Sequence, residues 1–323
     1  MFRKSNLKTL GITFGVLLAM VVITHFVDQS KGVNTLKSVL FEVNTGDVNT
    51  VVVYPKMLDG EKIELKKEGD NWRVLADGKN YNGDAGVITG LINQVNALKP
   101  LRLASRSKDN WEKFELTDSL SSKVQLMNNG EELASIYIGK FSYRQANQNA
   151  MMMQQNPYYR GPQGTMTTYV RSGDDTEVYA VEGFLGSSIN RDVNAFRNKQ
   201  LLKVDKSNLS KITFTYLADS SFTMVKNEDT WMCDGVALDS AKVADYLGRI
   251  TSLRGSSFTD EIPGMYTHTV QIQDKQMAIS EIKALVQSDE VTMTSNQNQG
   301  SLFKENKDAN FSKLFVSKSE LEE

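Results

Sequence analysis

Two stretches of this chain, 155 residues apart, carry the same helical pattern. In the first, Ile88, Leu91, Ile92, Val95 and Leu98 recur at the three- and four-residue spacing that lines one face of an α-helix. Asp84 stands where an N-cap belongs, and Pro100 stops the pattern. In the second, Asp239 is followed by Val243, Tyr246, Leu247, Ile250 and Leu253, each 155 positions after its partner. A repeat at fixed spacing restricts the fold more than any single pattern does, because both copies must bury the same apolar face in the same way.

Strand signals flank each helix. Upstream, Val51 and Val53, Ile63 and Leu65, and Trp72 and Val74 alternate as half-buried strands do. Ile212 and Phe214, Phe222 and Met224, and Trp231 and Cys233 repeat that series. Gly69-Asp70-Asn71 and Glu228-Asp229-Thr230 supply the turn before each Trp. Downstream, Val124, Leu126, Leu133 and Ile136 correspond to Val270, Ile272, Ile279 and Ile282 at a constant offset of 146. Strands, one amphipathic helix, then more strands predict an α+β class: two tandem repeats of a mainly antiparallel sheet with one helix on it. The first repeat is read as residues 47–205 and the second as 206–323, joined through Phe196-Arg197-Asn198-Lys199-Gln200-Leu201-Leu202.

The copies differ most between Tyr143 and Thr168. The offset falls from 146 before this point to 123 after it (Val170 against Met293), an insertion of 23 residues in copy one. Its Gln/Asn/Met-rich composition predicts a loop over 145–167. Tyr158, Tyr159 and Arg160 are residue types that anchor interfaces, and Met151 to Met153 suit an adaptable surface. These three are the candidate partner-binding residues. The bland reading is a hairpin tip without a role.

Ahead of the repeats, Arg3, Lys4 and Lys8 precede a run from Thr9 to Val27 that has no acid, Lys or Arg. As a helix rising about 1.5 Å per residue, that run spans the roughly 30 Å hydrocarbon core of a bilayer. Positive charge before the run keeps residues 1–8 in the cytoplasm. This reading makes 9–27 a single-pass inner-membrane helix, 28–46 a linker, and the remainder periplasmic. A cleaved signal peptide is the competing reading. It wants small residues where Ile23-Thr24-His25-Phe26-Val27 stands. A buried helix of a soluble protein is the third.

Composition enters through what it excludes. A net charge of −2 with scattered Lys and Arg offers nothing to a phosphate backbone, so no nucleic acid is expected. One Cys and two His cannot build a multi-Cys or His-rich zinc site, and no metal or other cofactor is expected. Nucleophile-elbow, phosphate-loop, dinucleotide and zincin motifs are missing from the sequence, so no enzyme is expected. His268 begins a strand pattern without a nucleophile near it, and His25 lies in the apolar run. Asp174-Asp175 and Asp289-Glu290 fall in turns, where solvated acids are ordinary. Cys233 reads as a small core residue. Trp72 and Trp231 read as core rather than sugar platforms, because they recur at matching places.

Several short motifs together carry a resemblance: Phe114-Glu115-Leu116, Val124-Gln125-Leu126, Ile136-Tyr137-Ile138-Gly139, Thr168-Tyr169-Val170-Arg171, Val178-Tyr179-Ala180-Val181, and the Phe196 to Leu202 run. With the N-terminal anchor they resemble the domain-of-unknown-function family 4340. Members commonly have Tyr-Gly-Leu where this chain has Phe-Glu-Leu, and Arg-Asp-Lys where it has Arg-Asn-Lys. The resemblance implies an extracytoplasmic accessory subunit beside a gliding-motility-type ABC transporter, with its membrane and auxiliary subunits as partners. No functional residue carries over. The expected function is therefore a membrane-anchored accessory or scaffold protein. The alternative is an envelope glycan- or lipid-binding module without catalysis.

Overall fold

Alternation of apolar and polar side chains is what allows each repeat to lay a one-sided sheet over one helix. The computed structural model describes residues 14, 16–18, 39–144, 165–173, 175–217 and 220–322. In repeat 1 the strands are β1 (Thr50–Tyr54), β2 (Ile63–Glu68), β3 (Asn71–Ala76) and β4 (Lys79–Asn82), then helix α1 (Ala85–Asn96). They continue as β5 (Pro100–Ser105), β6 (Ser122–Asn128), β7 (Glu131–Arg144), β8 (Thr165–Ser172) and β9 (Val178–Glu182). β10 (Gln200–Lys203) lies before the expected boundary at 206 but joins the core of repeat 2, which follows with β11 (Leu209–Tyr216), β12 (Phe222–Asn227), β13 (Thr230–Cys233), β14 (Val236–Ala237) and helix α2 (Ser240–Ile250). Its remaining strands are β15 (Ser252–Arg254), β16 (Ser257–Phe258), β17 (His268–Asp274), β18 (Ile279–Gln287), β19 (Glu290–Ser295) and β20 (Leu302–Asn306).

The two nine-stranded sheets have the same order: β4-β3-β2-β1-β6-β7-β8-β9-β5 and β14-β13-β12-β11-β17-β18-β19-β20-β16. All pairings within them are antiparallel. Each helix leaves one edge strand and delivers the chain to the opposite edge, so it crosses the whole sheet face. That crossing gives each repeat its own core. Ile88, Leu91, Ile92 and Val95 pack with the inward residues of β1 to β3 and β6 to β8, and Val243, Tyr246, Leu247 and Ile250 do the same in repeat 2. Each such side chain contributes about 1.5–3 kcal/mol of hydrophobic stabilisation. The α+β expectation holds as two large antiparallel sheets with few helices.

The caps follow the sequence. The N–H groups of Gly86 and Val87 donate to the Asp84 carboxylate, and that of Lys242 donates to Asp239. Leu98 and Leu253 are buried as expected, but α1 ends at Asn96 and α2 at Ile250, so both lie beyond the helix that the pattern placed them on. Leu133 and Ile279, which mark the repeat in the sequence, are 36% and 50% exposed. A strand repeats every two residues, so positions three apart, such as 133 and 136, face opposite ways. Ile136 and Ile282 took the inward places.

Part of the stretch read as a linker is built into repeat 1. Leu40 is buried and its N–H donates to Leu98 O at 3.1 Å. The matching lead-in of repeat 2 is β10, which pairs with β15. Asn44 and Asp205 then cap equivalent 3-10 turns.

The repeats meet along the Phe196 to Gln200 connector. The Arg197 guanidinium is buried between the rings of Tyr81, at 3.9 Å, and Phe258, at 3.6 Å. Asp84 accepts a hydrogen bond from Arg254 at 2.6 Å, and Lys79 pairs with Asp260 at 2.5 Å. Asn298 accepts from the Asn82 amide at 3.0 Å and donates to Asn198 O at 2.7 Å. Among the described residues no helix is long and apolar enough to cross a membrane. The expected span 9–27 lies outside those residues except for Phe14, Val16, Leu17 and Leu18, which are helical and exposed.

Candidate functional site

If the scaffold is duplicated, chemistry present in one copy alone is where function is to be sought. Two such places stand out among the described residues. The first is the β7–β8 hairpin of repeat 1. In repeat 2 the equivalent hairpin closes after the pair Gln287↔Glu290, with Ser288 at φ +57° in the turn. In repeat 1 the ladder runs on through Phe141↔Thr168 and Tyr143↔Met166 to Arg144↔Thr165. Residues 165–167, expected in the loop, are therefore the start of β8. Tyr158, Tyr159 and Arg160 lie outside the described residues. The root of their hairpin is apolar: Tyr143, Met166 and Phe184 are 54%, 49% and 50% exposed. Tyr143 and Met166 are cross-strand partners, and Phe184 packs on Phe141 with ring centroids 4.7 Å apart and the rings tilted by 55°. Thr168 donates to Gly183 O at 2.6 Å, which ties the Phe184 turn to the hairpin.

The second place is an aromatic cleft at one end of the repeat 2 sheet, with a volume of about 970 Å³. Tyr216 ends β11 opposite His268, the first residue of β17, with rings 5.1 Å apart. Phe311 and Phe315, one helical turn apart, stand edge-on to His268 at 5.1 and 5.6 Å. Phe222 also lines the cleft, and the more exposed Lys307 and Lys318 stand at the mouth. Burial, with the charge of Lys307, holds His268 below its ordinary 6.5, so the ring is neutral at pH 7. Tyr216 donates to Val316 O at 2.6 Å, and burial raises its pKa above the ordinary phenol range.

Counting along the aligned ladders, the repeat 1 counterparts of Tyr216 and His268 are Pro55 and Ser122, and Asn190 ends the short helix after β9 as Phe315 ends the one after β20. There the end of the sheet is closed by polar contacts. The N–H of Lys56 donates to Ser122 Oγ at 3.0 Å, and that of Met57 to Asn190 Oδ1 at 2.8 Å. The sequence reading passed over this aromatic set. Its signals were the substitution of aromatics at aligned positions and the Phe311/Phe315 pair at helical spacing.

The other singled-out residues resolve simply. Trp72, Trp231 and Cys233 are buried in the cores. Burial pushes the Cys233 thiol up, with Asp234 adding to the effect, so the thiolate is disfavoured. Glu290 pairs with Lys304 at 2.8 Å. His25 and Asp174 lie outside the described residues.

Some motifs that carried the family resemblance prove architectural. Arg171 is buried, with its guanidinium 3.4 Å from the Tyr137 ring and 3.8 Å from that of Trp111. It donates to Leu116 O at 2.9 Å and to Gly173 O, which pins the Phe114-Glu115-Leu116 turn. Gly139 lets that turn approach, since a Cβ there would sit 2.2 Å from Phe114 O. Residues 160–271 match the family described as Domain of unknown function (DUF4340). The DUF4340 match spans β8, β9, the connector and repeat 2 as far as β17, so it runs across the junction between the repeats. It agrees with the family that the motifs suggested. No curated protein and no solved structure matches the chain.

Proposed function

We propose that this protein is a membrane-anchored, extracytoplasmic accessory or scaffold protein that engages a partner through the repeat 1 hairpin. The partner is a membrane or auxiliary subunit of a gliding-motility-type ABC transport system, as the DUF4340 resemblance implies. The observation that carries the reading is the exposed apolar patch of Tyr143, Met166 and Phe184 at the root of an insertion that repeat 2 lacks. Exposed apolar side chains that gather beside a copy-specific hairpin mark an interaction surface. The charge-free run of 9–27 supports an inner-membrane anchor with the N-terminus in the cytoplasm, and the exposed helical Phe14, Val16, Leu17 and Leu18 fit a lipid contact.

A photoreactive amino acid at Tyr143 or Met166 of the full chain, in its native membrane, tests the reading. Crosslinks to a transporter subunit are expected, and replacing 145–164 by Asn-Gly is expected to abolish them without releasing the protein from the membrane. Probes at both positions that capture no transporter subunit would remove the partner assignment. The envelope lipid-binding alternative draws on the repeat 2 cleft.

A further inference from the structure

The polar groups around the repeat 2 cleft are largely engaged within the protein. The Tyr216 hydroxyl donates to Val316 O, and Thr267 Oγ1 lies 2.7 Å from His268 Nδ1 and 3.3 Å from Ala284 O. Ser221 Oγ accepts from the Tyr216 N–H, and Ser317 Oγ is held by Glu320. A sugar would find aromatic rings here but few free hydrogen-bond partners, and unmet polar groups are costly to bury. An apolar body suits the same walls. At the mouth, Lys318 is already paired with Asp234 at 2.8 Å and Glu322 at 3.5 Å. Lys307 has no ion-pair partner among the described residues. The cleft thus joins an apolar, aromatic interior to a lysine outside any ion pair, while the lining charges of Asp234, Glu322, Lys307 and Lys318 sum to zero.

We propose that this cleft binds a single-chain amphiphile with an anionic head, the acyl chain lying against Phe222, Phe311 and Phe315 and the head meeting Lys307. The volume of about 970 Å³ falls at the upper end of small-molecule sites. Repeat 1 closes the same place with Pro55, Ser122 and Asn190, so the site belongs to repeat 2 alone. The proposal stands apart from the hairpin reading, because it uses neither the hairpin nor a protein partner.

Full-length protein in its membrane, irradiated with a diazirine-bearing palmitate and mapped by mass spectrometry, provides the test. Adducts are expected within 216–222 and 307–318. Excess palmitate should suppress them, and a cationic amphiphile of equal chain length should not. Lys307→Glu should lower cleft labelling about fivefold, the loss of one exposed charge contact. Lys307→Arg should preserve it. Lys307 is exposed, so neither variant disturbs the core. Labelling confined to 9–27, equal competition by the cationic amphiphile, or unchanged labelling in Lys307→Glu would each overturn the proposal.

Discussion

Asp84 and Asp239 are the same residue in the same cap, yet they carry different loads. Asp239 holds its own helix through one backbone N–H, whereas Asp84 holds two and also accepts from Arg254 across the repeat junction. Asp84→Ala is expected to cost about 1–2 kcal/mol in urea unfolding, and Asp239→Ala about 1. Burial opposes the Asp84 charge, but the hydrogen bonds from Arg254 and Val87 outweigh it and hold the carboxyl below its ordinary 3.8. Its stabilisation is therefore present above that value and lost as pH falls through the folded one. Acid unfolding curves of wild type and Asp84→Asn should converge at the lowest pH, and diverging curves would contradict this. His268 has the same sign. Its folded pKa lies below 6.5, so its favourable contribution is present above 6.5 and declines as pH falls through the folded value. Its ring resonances should titrate with a midpoint under 6.5, and Lys307→Glu should raise that midpoint.

Among the elements, the helices offer the clearest test. Gly90 in α1 and Gly248 in α2 are exposed, and a Cβ at either would meet nothing within 4 Å. Gly90→Ala and Gly248→Ala should each stabilise the protein by roughly 0.5–1 kcal/mol, because glycine loses more backbone freedom in a helix than alanine. No gain in thermal midpoint for either would show that helix propensity is irrelevant at these sites. Gly139→Ala should do the reverse. Its Cβ would strike the backbone oxygen of Phe114, so the turn held by Arg171 must move. A loss of about 1–3 kcal/mol is expected, read as a lower urea midpoint. The helices were legible in the sequence because periodicity and capping are local. The paired strands were legible as faces but not as neighbours, and Leu133 and Ile279, which match between the repeats, turned out to face away from the core.

For the whole molecule, the question is what joins two separate cores. The apolar clusters do not merge. The junction is polar and aromatic, centred on Arg197 between Tyr81 of one repeat and Phe258 of the other. Arg197→Ala removes two buried cation–π contacts, worth about 2 kcal/mol or more. It should split one calorimetric transition into two and expose the 196–203 connector to protease. A single unshifted transition would mean that the ion pairs alone couple the repeats. The sequence by itself determined the duplication, the α+β class, both capped helices and the inward face of most strands. The last three are patterns among residues close in the chain, where the period alone fixes which side is buried, and the duplication is the same pattern met twice, 155 residues apart. Only the tertiary structure decided the strand order, with each helix crossing from edge to edge. It alone closed the arginine sandwiches and brought Tyr216, His268, Phe311 and Phe315 around one cleft. Those contacts join residues as far apart as Tyr81 and Arg197, and nothing in the local pattern of a segment specifies which distant segment it will meet.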